Sequence, residues 1–251
     1  LKPIALAKMK RYIERVQSLL LGETIEWDLE DQVRKIRFLN PDLGLINIDD
    51  PVDLHISAMG PKARRLVAEM KAGWLNFGSD PVSLVRELQD MQQAWQGTGV
   101  DEAAQHSTVF ALGAVLSGTD AENREKLMAQ AAPWTAVMFH NMLDGVMPVP
   151  LKLPEDISAI VDEYKPLLKD YQPEDAKYLT IHRGHLMFLR EEEKKLITPE
   201  LVQATSFSGS SDELVDRIRQ LGEAGYNQFA IQLVHGQESA LEEWADVFER
   251  V

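Results

Sequence analysis

The chain has 251 residues and no cysteine, and its 26 basic and 40 acidic residues give a formal charge of −14. Nucleic-acid phosphates and anionic membrane surfaces both attract basic patches, so this balance argues against either as a partner. The lack of cysteine excludes disulfides, thiol nucleophiles and cysteine-ligated metals, and no apolar run reaches the roughly 18 residues of a membrane span. These features predict a cytoplasmic protein.

The first part of the chain predicts an alternation of helices and strands. Apolar positions recur every three or four residues over 5–21, which predicts an amphipathic helix, and Gly22 is suited to end it. Residues 23–50 read as irregular, with a β-like piece at 33–38. The predicted elements that follow are a strand at 52–58, a helix at 62–71, a strand at 74–77, a helix from Pro81 and a strand at 108–116.

Residues 119–205 are predicted to be mostly helical, with no strand and with a break at Pro148, Pro150 and Pro154. Ser210 and Glu213 have the spacing of a capping box, so a helix should begin there and end at Gly225. A strand at 229–234 and a helix at 239–251 complete the chain. This alternation implies a parallel sheet with helical crossovers.

In parallel α/β folds, ligands bind at the carboxyl ends of the strands, which selects residues 57–62, 76–80, 117–120 and 235–238. In the first of these, small residues and Gly60 precede a predicted helix start. Such a turn lets backbone approach a flat ring, and free amides at a helix start favour a phosphate. The alternative is a plain strand-to-helix connection.

His182 and His185 would share one face if this segment is helical. They could bind a substrate or an anion, or be ordinary surface residues; a metal site would need a third ligand, and none is evident. His235 follows the last predicted strand, where a proton donor could stand. His55 is expected to be a core histidine within its strand.

Neither His106 nor His140 is assigned a function. Acidic runs such as residues 191–193 are interpreted as solvated faces. The motifs of serine hydrolases, zinc proteases and phosphate-loop nucleotide hydrolases are missing from the sequence.

Residues 52–63 (VDLHISAMGPKA) and 72–77 (AGWLNF) resemble the fifth and sixth strands of the bacterial luciferase-like proteins, a family of flavin-dependent monooxygenases and deazaflavin-dependent reductases. Residues 208–218 (SGSSDELVDRI) and 221–226 (LGEAGY) resemble its closing helix and strand. Residues 12–23 (YIERVQSLLLGE) resemble the helix after its fourth strand.

The resemblance implies a (β/α)8 TIM barrel of the luciferase-like type, with a helical insertion at about 119–205. Only strands five to eight have counterparts in this sequence. Residues 1–251 are therefore expected to be the C-terminal portion of a single barrel domain. The other half would then lie in a longer polypeptide or in another chain.

The resemblance also implies a cofactor site and a set of proton-transfer residues. The cofactor would be FMN or, alternatively, a deazaflavin coenzyme. The expected cofactor-binding residues are Ser57, Ala58, Met59, Gly60, Pro61, Lys62 and Asn76, with Lys62 near the phosphate. The expected catalytic residues are His182, His185 and His235, and no metal is expected.

Three functions follow as hypotheses from this resemblance. The first is a monooxygenase that acts on a small organic substrate with oxygen and reduced FMN, the latter supplied by a separate flavin reductase. The second is a deazaflavin-dependent hydride-transfer reductase, and the third a non-catalytic flavin-binding subunit. A homodimer is expected in each case.

Overall fold

The computed structural model describes residues 4–50, 52–145 and 155–251. It divides into two compact units, Leu1–Trp74 with Asp90–His106, and Leu75–Gln89 with Ser107–Val251. The predicted proline break at Pro148, Pro150 and Pro154 lies outside the described residues. No helix within the described residues is long and apolar enough to cross a membrane.

The first unit contains a helix, a hairpin and the first βα connection. Its elements are α1 (Leu6–Leu20), β1 (Ile25–Leu29), β2 (Gln32–Ile36), β3 (His55–Ser57), α2 (Pro61–Glu69), the start of β4 (Gly73–Phe77) and the end of α3 (Pro81–Thr98). The predicted amphipathic helix is confirmed in α1, and Gly22 follows it with φ at 77°.

Residues 23–50 are more regular than predicted, although the β-like piece expected at 33–38 overlaps β2 (Gln32–Ile36). Strands β1 and β2 form an antiparallel hairpin, with Ile25 opposite Ile36. Its two turn residues, Glu30 and Asp31, both have positive φ, at 51° and 61°. Such two-residue turns match the twist of the strands but usually carry Asn or Gly, so the sequence lacked the expected signal.

The prediction that His55 lies in the core is wrong. The side chain is exposed at the start of β3, which is shorter than the strand predicted at 52–58. The His55 ring lies over Gly73, where a β-carbon would stand 1.8 Å from its Cδ2 atom. Its centroid is 4.9 Å from that of the His106 ring. Glycine at position 73 is what gives the imidazole room beside the backbone.

The second unit contains the rest of β4, the start of α3 and all later elements. These are β5 (Ser107–Ala111), α4 (Asp120–Gln130), α5 (Ala132–Leu143), α6 (Glu155–Tyr164), α7 (Tyr178–Ile181), α8 (Pro199–Thr205), α9 (Ser211–Ala224), β6 (Gln228–Ile231) and α10 (Ala240–Glu249). The predicted helical character of 119–205 is confirmed for the described residues, which form no strand there.

The strand order of the larger sheet is β3, β4, β5, β6. Strands β5 and β6 pair in parallel, with Val109 opposite Phe229, as the alternation of elements predicts. The predicted strand at 108–116 ends early, at Ala111. Beyond it Gly113 approaches Phe207 so closely that a β-carbon would lie 1.8 Å from the Phe207 carbonyl oxygen.

Two features organise the helices of the second unit. The predicted capping box of α9 is confirmed, since Glu213 Oε2 accepts from Ser210 N at 2.8 Å and the Ser210 hydroxyl accepts from Glu213 N. Gly225 ends this helix with φ at 112°. The helical region also has an apolar core of its own, formed by Leu127, Ala131, Ala132, Phe139, Tyr164, Ile197 and Val202.

Candidate active site

The first candidate segment is the connection between β3 and α2, here called the 57–62 loop. Ser57 is the last residue of β3, Gly60 is the N-cap of α2 and Pro61 is its first residue. Proline is favoured at that position because its fixed φ suits a helix and its missing amide hydrogen is not needed there. The predicted strand-to-helix turn is therefore present.

A buried tryptophan anchors this loop from one side. The indole Nε1 of Trp74 donates a hydrogen bond to the Ala58 carbonyl oxygen at 2.9 Å. The Arg64 guanidinium lies 5.6 Å from the centre of the same ring and is held by Asp90 at 2.9 Å. The backbone at Ala58 is thus set by contacts within the first unit.

The other side of the loop is open. Met59 is 72% exposed, and a β-carbon placed on Gly60 would meet no atom within 4 Å. The start of α2 has no side-chain cap, and Lys62 is exposed beside it. Backbone amides at an uncapped helix start attract anions, so this end of α2 is compatible with a phosphate, while contact of the loop with a cofactor ring stays a prediction.

Asn76 lies in the second unit and is engaged by protein. The buried Asn76 Nδ2 donates to Glu87 Oε2 at 2.7 Å and to the Tyr226 hydroxyl at 3.0 Å. The Tyr226 hydroxyl in turn donates to the Leu84 carbonyl at 2.9 Å. These bonds tie β4 to α3 and to the segment before β6, and a cofactor contact of Asn76 stays a prediction.

His182 and His185 are brought together, but not by a helix. Helix α7 ends at Ile181, and the chain then turns through Gly184 and Leu186, whose φ values are 80° and 57°. The two imidazole centroids are 5.5 Å apart. The two rings therefore do not share a helical face: a turn through the left-handed Gly184, closed by the hydrogen bond from His185 N to the His182 carbonyl at 3.1 Å, brings them together.

Residues 182–186, here called the histidine turn, lie at the carboxyl end of β6. Gln232, the residue after that strand, donates from its side-chain amide to the Leu186 carbonyl at 3.0 Å. That end of a parallel strand is where α/β proteins bind ligands. The position agrees with a functional role for the turn.

The structure adds His140 to this group, and we call His140, His182 and His185 the histidine cluster. The buried ring of His140, on α5, meets the His182 ring at 5.8 Å between centroids and 86° between planes. Its Nε2 lies 2.5 Å from Glu193 Oε1. Local patterns missed His140 because its partners are about 40 to 50 positions away in the chain.

Glu193 overturns the interpretation of residues 191–193 as a solvated face. Glu193 is 0% exposed, and its Oε1 atom also lies 2.5 Å from Arg190 Nη2. Burial alone would raise the pKa of Glu193, but hydrogen bonds from His140 and Arg190 lower that pKa to about 2. The carboxylate is therefore ionised at neutral pH.

The surroundings of His185 favour the uncharged form of its ring. Burial of its ring, and then the proximity of His182 and His140, lowers the pKa of His185 below its ordinary value. His182 is oriented by a second carboxylate, with Asp144 Oδ2 lying 3.4 Å from its Nε2. The cluster thus joins imidazoles that differ in their surroundings.

His235 stands in solvent. Its side chain is 85% exposed, and its Nδ1 lies 3.8 Å from Glu238 Oε1. The catalytic role expected for it stays a prediction. Among the described residues, no group of three or more histidine or carboxylate side chains is arranged to hold a metal.

A groove of about 730 Å³ lies elsewhere in the second unit. It is lined by residues that precede or begin β6, including Asn227 and Phe229, together with Phe248. This is the amino end of the strand, opposite to the edge where ligands of parallel sheets bind. We therefore do not place the active site in that groove.

Comparison with known proteins decides the family. The model of the luciferase-like monooxygenase family matches residues 3–228. The chain belongs to this family. The resemblance stated for the 57–62 loop and for the start of α9 is thereby confirmed at the level of the family. No curated protein sequence matches the chain.

Solved structures share the luciferase-like α/β fold at low sequence identity. An F420-dependent secondary alcohol dehydrogenase, in complex with an F420-acetone adduct, is 15% identical over 98% of this chain, with a TM-score of 0.60. An EDTA monooxygenase from a Chelativorans species is 14% identical over 98%, with 0.51. A riboflavin lyase with modified FMN and riboflavin is 12% identical over 99%, with 0.51.

The matches cover nearly all of this chain but a smaller share of each matched structure. The chain covers 62%, 59% and 59% of those three proteins, respectively. It thus spans about three fifths of the luciferase-like structures that it matches.

Proposed function

We propose that the chain is the C-terminal portion of a luciferase-like oxidoreductase that uses a flavin or deazaflavin to transform a small organic molecule. The observation that carries this proposal is the 57–62 loop, with open space beside Gly60 and an uncapped helix start next to Lys62. It lies within the residues that the family model matches. The partial barrel, with strands five to eight in this chain, is part of the proposal.

The loop residues would hold the cofactor. Pro61 has no amide hydrogen and the amides of Ala63 and Arg64 donate to the Gly60 carbonyl oxygen, so the Lys62 amide and ammonium would contact the phosphate and neutralise its charge. The exposed Met59 and Pro61 would pack against the ring, next to the backbone of Ala58, whose side chain is buried and whose carbonyl Trp74 holds in place. When bound, the cofactor supplies the hydride or oxygen chemistry.

His182 and His185 would handle the proton that accompanies this chemistry. The lowered pKa of His185 leaves its ring neutral near pH 7, so the ring can accept a proton from a substrate hydroxyl or from water. Asp144 would orient His182 through its Nε2 atom. His235 is retained in the proposal as a third proton-transfer residue.

Two reactions remain as candidates within this function. Our first is monooxygenation with oxygen and reduced FMN from a separate reductase; similarity to an EDTA monooxygenase supports the reaction, and similarity to a riboflavin lyase with modified FMN supports the cofactor. The second is hydride transfer with a deazaflavin. Its support is the similarity in fold to an F420-dependent secondary alcohol dehydrogenase, with a TM-score of 0.60. A homodimer is proposed for either reaction.

Substitution of Gly60 by leucine tests the cofactor site in the full-length protein. Gly60 has an extended conformation at φ −97°, and its β-carbon position is free, so the variant should fold normally. The new side chain would fill the space proposed for the ring. We expect FMN or deazaflavin affinity, measured from the absorbance spectrum, to fall at least about tenfold, or about 1.4 kcal/mol.

The matched control is Gly97→Leu, in α3, where a β-carbon also meets nothing within 4 Å. Its cofactor affinity should equal that of the wild type. Unchanged affinity in Gly60→Leu would remove the 57–62 loop from the site. Failure of the wild type to bind either cofactor would reject the function, and binding without turnover would identify a non-catalytic subunit.

A further inference from the structure

We propose that Glu193 is a positioning residue that sets the orientation of His182 through two neighbours, Arg190 and His140. The inference rests on the proposed function, in which His182 and His185 handle a proton. It gives a role to the buried ion cluster of Glu193, Arg190 and His140, which contains no residue of the 57–62 loop.

Glu193 is the centre of this arrangement. Its Oε1 atom lies 2.5 Å from both Arg190 Nη2 and His140 Nε2, and its Oε2 atom accepts the Arg190 backbone amide at 3.0 Å. A fully buried carboxylate costs free energy unless it is paired and hydrogen-bonded. All these bonds are made, so the carboxylate holds both partners in fixed positions.

The first path to His182 runs through Arg190. Its Nη1 atom donates to the Thr180 carbonyl oxygen at 2.7 Å, two residues before His182. The guanidinium also lies 4.9 Å from the centre of the Tyr171 ring. Arginine can bond Glu193 and Thr180 at once because its donors form a planar fork. This path fixes the backbone that enters the histidine turn.

The second path runs through the ring of His140. Because Nε2 donates to an ionised carboxylate, the Nε2–H tautomer is favoured and the ring plane is set. No described residue hydrogen-bonds the buried Nδ1 atom, so Glu193 is the contact that orients this ring. The edge-to-face contact with His182, at 86°, then limits the rotation of the His182 ring.

Other polar groups face the cluster from neighbouring elements. They are Asp144 at the C-cap of α5, Tyr164 on α6, Tyr171 before α7, His185 in the turn and Glu192 beside Arg190. Of these, Asp144 is the group placed to accept a hydrogen bond from His182, at 3.4 Å, whereas His185 meets it ring to ring. At this distance the bond is weak, so Asp144 alone would hold the imidazole loosely. We infer that the two paths from Glu193 supply the remaining constraint.

The test measures the state of His182 directly, by 15N NMR of histidine-labelled full-length protein. For the neutral form of His182 we expect a single tautomer in the wild type, protonated on Nε2 toward Asp144. In Glu193→Gln we expect a mixture of tautomers and on the order of tenfold faster exchange of the His182 amide. The kcat of the loaded enzyme should fall while the KM for substrate stays constant.

Two further variants keep the test decisive. Glu193→Gln leaves a buried guanidinium without its partner and can unfold the protein. His140→Gln preserves the ion pair and a donor for Glu193 but removes the ring that contacts His182, so it should give the same mixture of tautomers. Glu191→Gln is the control, since that side chain is 86% exposed, and it should match the wild type.

A single His182 tautomer with unchanged amide exchange in folded Glu193→Gln and His140→Gln would overturn the inference and leave Glu193 with a stabilising role alone. These readouts need no cofactor. If the wild type binds neither flavin nor deazaflavin, the proposed function fails while the NMR data still decide the role of Glu193.

Discussion

At the scale of single residues, neighbours in the chain have opposite surroundings. Glu191 is exposed and pairs with Lys194, whereas Glu193, two positions on, is fully buried between Arg190 and His140. Local composition describes both as members of one acidic run. The surroundings of the two glutamates differ because α5, which is distant in sequence, places His140 beside Glu193.

The lowered pKa of Glu193 predicts a specific pH dependence of stability. Its pKa is about 2 in the folded protein against an ordinary value of 4.5, so the unfolded chain binds the proton first as the pH falls. The stability that the carboxylate contributes is complete above about pH 5 and is lost as the pH falls toward 2.

Urea unfolding at a series of pH values measures this contribution. Between pH 4.5 and 2, the free energy of unfolding of the wild type should fall more steeply than that of Glu193→Gln, by up to about 1.4 kcal/mol per pH unit. Equal slopes in the two proteins would show that Glu193 is not held as an ion by its partners.

At the scale of elements, helix ends follow local sequence closely. The capping box of Ser210 and Glu213 is present as predicted, and α4 has a second one at Thr119 and Glu122. A cap needs residues that are three positions apart, so a single sequence is enough to recognise it. The turn after α7 is different, because Leu186 adopts a left-handed conformation that its residue type does not indicate.

Removal of a capping hydroxyl should therefore be measurable. Ser210→Ala deletes the acceptor for the Glu213 amide, and we expect the free energy of urea unfolding to fall by about 1 kcal/mol. Ser239→Ala is the matched control, because Ser239 is the N-cap of α10 but its side chain makes no capping bond. Equal losses in both variants would show that the cap of α9 adds nothing.

At the scale of the whole molecule, burial is uneven along the chain. Helix α1 contains no buried residue, and the β1–β2 hairpin exposes most of its side chains. Strand β5 and helix α9 contain fully buried side chains such as Val109 and Leu214. Elements with few buried contacts open with a lower free energy.

Hydrogen exchange should follow this division. In this chain, the amides of α1 and the hairpin should exchange on the order of a hundredfold faster than those of β5 and α9 at neutral pH. Mass spectrometry of peptic fragments would resolve these segments. Uniform protection from residue 6 to residue 224 would contradict the expectation.

The sequence by itself determined what depends on neighbouring residues. The periodicity of α1, the cap of α9, the parallel alternation and the family resemblance of the 57–62 loop all rest on short spacings. The charge of −14 likewise comes from composition alone. Such features need no knowledge of distant contacts, because the backbone and its nearest side chains produce them.

Only the tertiary structure decided which polar groups meet. It ended β5 at Ala111, fastened Asn76 to Tyr226, and joined His140 to Glu193. The partners in these contacts lie about 50 to 150 residues apart in the chain. The physical reason is that burial and pairing energies depend on packing between elements, so the same acidic run can yield one solvated and one buried carboxylate.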